Sequence, residues 1–485
     1  MKTNYTRLFS ILVAVGFVLA LSACDSDNTT TPPPPPDDPF DAVYDTTGST
    51  IFVTDTDESG VAPECETVTW ESQYVYVLTN RVFVNDCQTL IIEAGTVIKG
   101  NPGLRESATA LVVARGGMIM AEGTASNPII FTSVADNLDD PDDEPGAGSW
   151  GGVIILGRAS TNTTPSELQI EGIPTTEARA RYGGSNNSDN SGVFRYVSIR
   201  YGGTEIGAGN EINGLTLGGV GSGTTIDHVE VFANLDDGVE FFGGTVNTKH
   251  MVVVFAGDDA FDTDQGYRGK NQFWLALHAA DEGDNGAEMD GGDNDLGGEG
   301  SLPLSQPVIW NATYIGSGDA AANSGLGRGM NIRDNSAASY YRSYFYGFTE
   351  GLAVEDLDGG AADSRQRLES GDMTLRDLLW GMFTNDEDED GTFNEDVDVV
   401  PQDFVRNYLN ANGSRFVGTT MGIGSVSFEP DGGFNPVATG PALTNLGAAP
   451  TDSFFDNASC IGAVCPGDNW LEGWTALDQL GYLAN

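Results

Sequence analysis

Between Asn213 and Asp356 the chain alternates apolar and polar positions in a recurring phrase: a small residue, then apolar, any, apolar, any. It reads Gly214-Leu-Thr-Leu-Gly, Gly238-Val-Glu-Phe-Phe, Ala260-Phe-Asp-Thr-Asp, Gly286-Ala-Glu-Met-Asp, Gly329-Met-Asn-Ile-Arg and Gly351-Leu-Ala-Val-Glu. Alternation with period two marks a strand that buries one face. Successive starts lie 24, 22, 26, 43 and 22 residues apart, and self-similarity at such a spacing means a solenoid. A strand-like unit repeated in this way predicts an all-β chain wound as a parallel β-helix.

Shorter runs extend the pattern towards the N-terminus. Tyr74-Val-Tyr-Val-Leu, Val82-Phe-Val, Leu90-Ile-Ile and Thr96-Val-Ile predict the strands of a cap and the first coils. Asn162 to Ser191 reads as a polar insert, and the 43-residue spacing as one coil with a long excursion. After Asp356 the period changes. Met373 to Phe383 and Pro401 to Leu409 place apolar residues at helical spacing, with Gly413 just past the second run. This predicts a small helical and acidic subdomain over 363–413. The tail 454–485, carrying Trp470 and Trp474, reads as a C-terminal cap.

The most specific phrasing lies between 108 and 160. Ala110-Leu-Val-Val-Ala-Arg-Gly-Gly-Met-Ile-Met-Ala-Glu-Gly-Thr leads into Asn127-Pro-Ile-Ile-Phe-Thr-Ser and then Ser149-Trp-Gly-Gly-Val-Ile-Ile-Leu-Gly. This resembles a right-handed parallel β-helix lipoprotein family of Gram-negative bacteria, common in Bacteroidota, from about Leu90 to Glu355 and again near the C-terminus. The resemblance implies the fold and supplies no catalytic residues.

Composition adds the compartment. The formal charge of −49 comes from 45 Asp and 26 Glu against 18 Arg and 4 Lys. Such a surface repels phosphate backbones, which argues against a nucleic acid partner. At the N-terminus Lys2 and Arg7 precede an apolar run, Leu8 to Leu19, too short to span a bilayer. It ends in Leu21-Ser22-Ala23-Cys24, which resembles a lipobox, so residues 1–23 are expected to be removed and Cys24 to carry lipid. Residues 24–39, with Pro32 to Pro36, would then form an extended tether. Folded chain would occupy 40–485. The expected location is the cell envelope, at the outer membrane. With Cys24 lipidated, four cysteines remain, and an exporting route favours disulfides. Their grouping gives Cys65–Cys87 and Cys460–Cys465, placed in the two caps.

The outward positions of the repeat carry the candidate chemistry. One column reads Thr216, Glu240, Asp262, Glu288, Asn331, Ala353, and a second Gly218, Phe242, Asp264, Asp290, Arg333, Glu355. Coils stack about 4.8 Å apart, so Glu240, Asp262, Asp264, Glu288 and Asp290 form one acidic patch. Asp236, Asp237, Asp258, Asp259 and Asp284 stack at the preceding turn. Three readings follow: a solvated acidic face, a Ca²⁺ ladder with oxygen ligands from adjacent coils, and a glycosidase pair such as Glu240 with Asp262. Asp386-x-Asp388-x-Asp390-Gly391 begins like an EF-hand loop but has Val397 at its twelfth position. Asp55 opens a second loop of that kind. Tyr340, Tyr344 and Tyr346 are candidates for a sugar-stacking platform, against the alternative that they are packed inside. His228, His250 and His278 stand apart in the sequence and read as packed or solvated.

These features lead to the expectation of a lipid-anchored envelope protein with a binding, adhesion or matrix role, assisted by Ca²⁺ and facing glycan or envelope matrix. A polysaccharide-acting enzyme is the alternative, weakened by a chain with four Lys and three His.

Overall fold

The computed structural model describes residues 42–56, 65–103, 107–138, 145–207, 210–279, 282–292, 296, 298, 300–317, 327–357, 362–383, 393–394 and 404–484. The signal-like segment, Cys24, the proline tether and Asp386, Asp388 and Asp390 lie outside them.

Parallel strands stack coil upon coil into a ten-stranded and a nineteen-stranded sheet. In the ten-stranded sheet the repeat phrase supplies Leu215–Gly218, Val239–Phe242, Phe261–Asp264, Glu288–Met289, Arg328–Ile332 and Glu350–Val354. The register never slips. Leu217 pairs with Phe241, Phe241 with Thr263, Thr263 with Met289, Met289 with Ile332, and Ile332 with Val354. These six side chains form one inward column, all buried. Burying each apolar member removes enough surface from water to stabilise the fold by about 1.5–3 kcal/mol. Inside the coil the strands of this sheet meet further aromatic rings: Phe261 stacks on Trp274 of the opposite sheet at 4.3 Å, and Phe241 on Tyr267 of the following turn at 4.4 Å. The small residue that opens the phrase has a steric cause. A Cβ on Gly238 would sit 2.3 Å from Val253 Cγ1 and 2.7 Å from the Ala260 carbonyl.

The nineteen-stranded sheet turns a corner once per coil. Tyr196, His228, His250, Phe273, Asn311, Arg342 and Asp377 occupy equivalent positions, all with left-handed backbone at φ between 48° and 62°. Ladder pairing skips each of the first four and resumes one residue later, as Asp227 with Lys249 and then Val229 with Met251. The left-handed residue rotates the strand, so its side chain leaves the coil and stacks on the next coil's equivalent.

Two chain segments cover the outer faces. Within the insert, Glu167–Gln169 and Arg181–Gly183 pair antiparallel. Ile170, Ile173 and Tyr182 from this insert pack on Ile154, Leu156 and Phe242 of the ten-stranded sheet. The insert predicted from polarity therefore has a buried apolar side. The chain beyond Arg415 lies along the flank of the nineteen-stranded sheet. Trp474, Leu477 and Phe434 pack there with Phe232, Val254 and Tyr344. The chain beyond Arg415, with the segment 454–484 for which the sequence suggested a cap, therefore acts as a strap on the flank. Both disulfides form: Cys65–Cys87 with Cα atoms 4.9 Å apart and Cys460–Cys465 with 5.5 Å.

The helical expectation for 363–413 holds in part. Phe404–Ala411 is a helix that buries Val405 and Leu409, and Gly413 follows it with φ 81°. A second helix, Ser364–Ser370, is capped by the Asp363 side chain and ended by Gly371 in the left-handed region. Met373 to Phe383 is different. Leu375–Arg376 and Leu379–Gly381 are strands that extend the sheet by pairing with Tyr340, Tyr341 and Tyr344 to Tyr346. An open strand edge offers every backbone group a partner, and that outweighs a weak helical period. Asp377 sits between the two strands as that coil's left-handed corner.

Candidate metal centre

The outward column exists in the predicted register. Thr216 pairs with Glu240, Glu240 with Asp262, Asp262 with Glu288, Glu288 with Asn331 and Asn331 with Ala353. Phe242 pairs with Asp264, and the chain continues past Met289 and Ile332 into Asp290 and Arg333. Beside it runs the turn column. Asp237 Oδ1 accepts the Asp259 N–H at 2.9 Å, and Asp259 Oδ1 accepts the Asn285 N–H at 2.6 Å. One carboxylate oxygen per coil is thus spent on fixing the next coil, and the other is left for chemistry.

The column does not face open solvent. Asp237, Glu240 and Asp259 are 9%, 8% and 5% exposed, and the insert arches over Glu240. It brings Glu171 into the cluster, where Asn213 Nδ2 donates to Glu171 Oε1 at 3.2 Å and also to Glu240 Oε2. The insert is held down by Asn162, whose Nδ2 donates to the Gly291 carbonyl at 2.8 Å, and by the Tyr182 hydroxyl on Gln265 at 2.6 Å. Neither Glu171 nor Asn213 stood out in the sequence, since both lie outside the repeating strand positions.

Burial and mutual repulsion dominate the electrostatics. Burial first, then neighbouring carboxylates, push Asp237, Glu240, Asp259, Asp262 and Asp290 well above the ordinary range. Asp236 is raised to about 8 by burial and by Glu211, Glu171 and Asp258. Glu171 reaches about 7 and Asp284 about 6, again chiefly through burial. Positive charge enters at one end, where Arg333 reaches Glu288 at 2.7 Å and Asp290 at 2.9 Å.

Three sets of carboxylates offer ligand atoms within 4.8 Å of one another: Asp236, Asp237, Asp258; Asp237, Glu240, Asp262; and Asp258, Asp259, Asp284. Several oxygens in or beside these sets have no hydrogen-bond partner among the described residues. They are Asp262 Oδ1, Asp284 Oδ1, Asn285 Oδ1 and Asn331 Oδ1. Asn285 and Asn331 are only 2% and 3% exposed, so their lone pairs are desolvated and uncompensated, which is costly. A hard cation that takes six to eight oxygens at about 2.3–2.6 Å suits such a donor set.

A general acid and a general base need neighbouring groups pushed apart in pKa. Here Glu240 and Asp262 move in the same direction for the same reason.

The other expected sites fare differently. Tyr340 lies in the interior with its hydroxyl 3.2 Å from that of Tyr314. Tyr344 and Tyr346 face outward but are buried beneath the strap, with the Gly422 N–H donating to the Tyr344 hydroxyl at 3.0 Å. They form no exposed platform, because the strap takes the apolar face they offer. Asp55 is committed to Arg179 of the insert at 3.1 Å and to the Phe83 N–H at 3.0 Å.

A family model described as a pectate-lyase-like beta helix domain matches residues 61–421. No curated protein and no solved structure matches the chain.

Proposed function

The chain belongs to the pectate-lyase-like beta helix family, and from that premise we propose a lipid-anchored envelope scaffold that binds without catalysing, rigidified by Ca²⁺ along its carboxylate column. The lipid is carried by Cys24 at the outer membrane, and the partner is glycan or envelope matrix. The supporting observation for Ca²⁺ is the registered set Asp237, Glu240 and Asp262, with ligand atoms within 4.8 Å and Asp262 Oδ1 unpartnered. Ca²⁺ replaces the protons that burial and repulsion otherwise hold on these groups. It also converts their repulsion into bridges between coils.

The test is thermal melting after EDTA treatment and then with Ca²⁺ restored. Binding at one hundred times Kd adds about 2.7 kcal/mol to the folded state, so the melting temperature rises by several degrees and calorimetry shows Ca²⁺ uptake. Equal melting temperatures with and without Ca²⁺ sink the ladder. For the non-catalytic part, incubation with neutral and acidic glycans leaves reducing ends unchanged. Release that disappears in Glu240→Gln would replace this reading with an enzyme.

A further inference from the structure

On the opposite sheet the left-handed corner column brings together two histidines that lie 22 residues apart. His228 and His250 stack with centroids 4.1 Å apart, and the column continues to Tyr196 at 4.2 Å and Phe273 at 4.9 Å. Both imidazoles turn Nδ1 to the same atom, Asp227 Oδ1, at 2.9 Å for His228 and 2.8 Å for His250. Only His250 is aligned to hydrogen-bond it. His228 Nδ1 is buried, close to the carboxylate, and has no hydrogen-bond partner. The side chains are 12% and 17% exposed.

We propose that Asp227, His228 and His250 form a binding site for a borderline divalent cation of the Zn²⁺ class, separate from the carboxylate column. The three residues offer ligand atoms within 4.8 Å of one another. Two imidazole nitrogens and one carboxylate oxygen are the donors such ions prefer, whereas Ca²⁺ prefers oxygen alone. Metal–nitrogen and metal–oxygen distances of about 2.0–2.2 Å put tetrahedral ligand atoms about 3.4 Å apart. The present spacing therefore opens by about half an ångström on loading, and the two rings, now 24° from parallel, turn so that their in-plane lone pairs converge on the ion. Three protein ligands leave a coordination position for water or an incoming donor. Trp470 and Trp474 of the strap stand edge-on to the two rings, at 5.1–6.0 Å. Loading therefore joins two coils directly beneath the strap.

The experiment is Zn²⁺ titration of the full chain by calorimetry, with Ca²⁺ in excess to hold the carboxylate column. One Zn²⁺ binds per chain. His228→Gln and His250→Gln each weaken it at least about 10–100-fold, while Asp262→Asn leaves it unchanged. Cu²⁺ bound to the unmodified chain shows splitting from two nitrogens by electron paramagnetic resonance, a reading independent of any variant's folding. Absence of nitrogen splitting, or Zn²⁺ affinity indifferent to both histidine substitutions, overturns the site. Loss of Zn²⁺ binding in Asp262→Asn would also overturn it, by moving the ion to the other sheet.

Discussion

Glu230 shows what a satisfied buried carboxylate looks like in this chain. It accepts the Ser198 hydroxyl at 2.5 Å and the Ala476 and Leu477 N–H groups at 2.6 and 3.0 Å, with the buried Arg200 as its charge partner. Glu230→Ala leaves Arg200 uncompensated and two N–H groups of the strap unbound. Urea unfolding should show a loss of about 3–5 kcal/mol. Asp262 is the opposite case, half-buried among like charges with Oδ1 unpartnered. Asp262→Asn should therefore raise the melting temperature of metal-free protein at pH 8, by on the order of 1 kcal/mol in stability, and abolish the gain from Ca²⁺. A fall in metal-free stability would mean that its carboxylate holds a partner. None of this difference was visible in the sequence, where both residues are acids on strands that otherwise read alike.

At the scale of strands and turns, the carboxylate column responds to pH as a unit. The folded values lie above the ordinary range, so the fold favours the protonated forms. That contribution is complete below pH about 4. It is lost as pH climbs through about 6 for Asp284, about 7 for Glu171 and about 8 for Asp236. In EDTA, stability should decline from pH 5 to 8, and Ca²⁺ should restore it most at the upper end; a flat profile in EDTA counts against the buried cluster. The column was legible because a period-two phrase fixes both which side chains share a face and which coil partners meet. What covers that face was not legible. The insert and strap carry no period, and Ile170, Tyr182 and Trp474 announce themselves only once a sheet exists to receive them. The left-handed corners were hidden for a related reason. Tyr196, His228, His250 and Phe273 follow no single residue type, so the two histidines looked isolated. Met373 to Phe383 misled because its apolar density suits helix and strand equally until the neighbouring edge decides.

For the whole molecule, a charge of −49 opposes compaction. Monovalent salt, with a screening length near 10 Å at 0.1 M, should raise the melting temperature of the metal-free protein. Ca²⁺ at matched ionic strength should raise it further; equal effects would reduce the column to a screened surface. The strap adds something that the coils alone lack. Coils in a solenoid contact only their neighbours, so such a body can lose one end while the rest survives. Here one continuous segment binds successive coils, from Arg200 and Glu230 through Gln272 and Asn311 to Arg342. Fraying one coil then loosens a ligature shared by the others. Heating should give a single calorimetric transition for the coils from Arg200 onward in place of stepwise peeling, and a pull on any one of them would meet the resistance of the bound array as a whole.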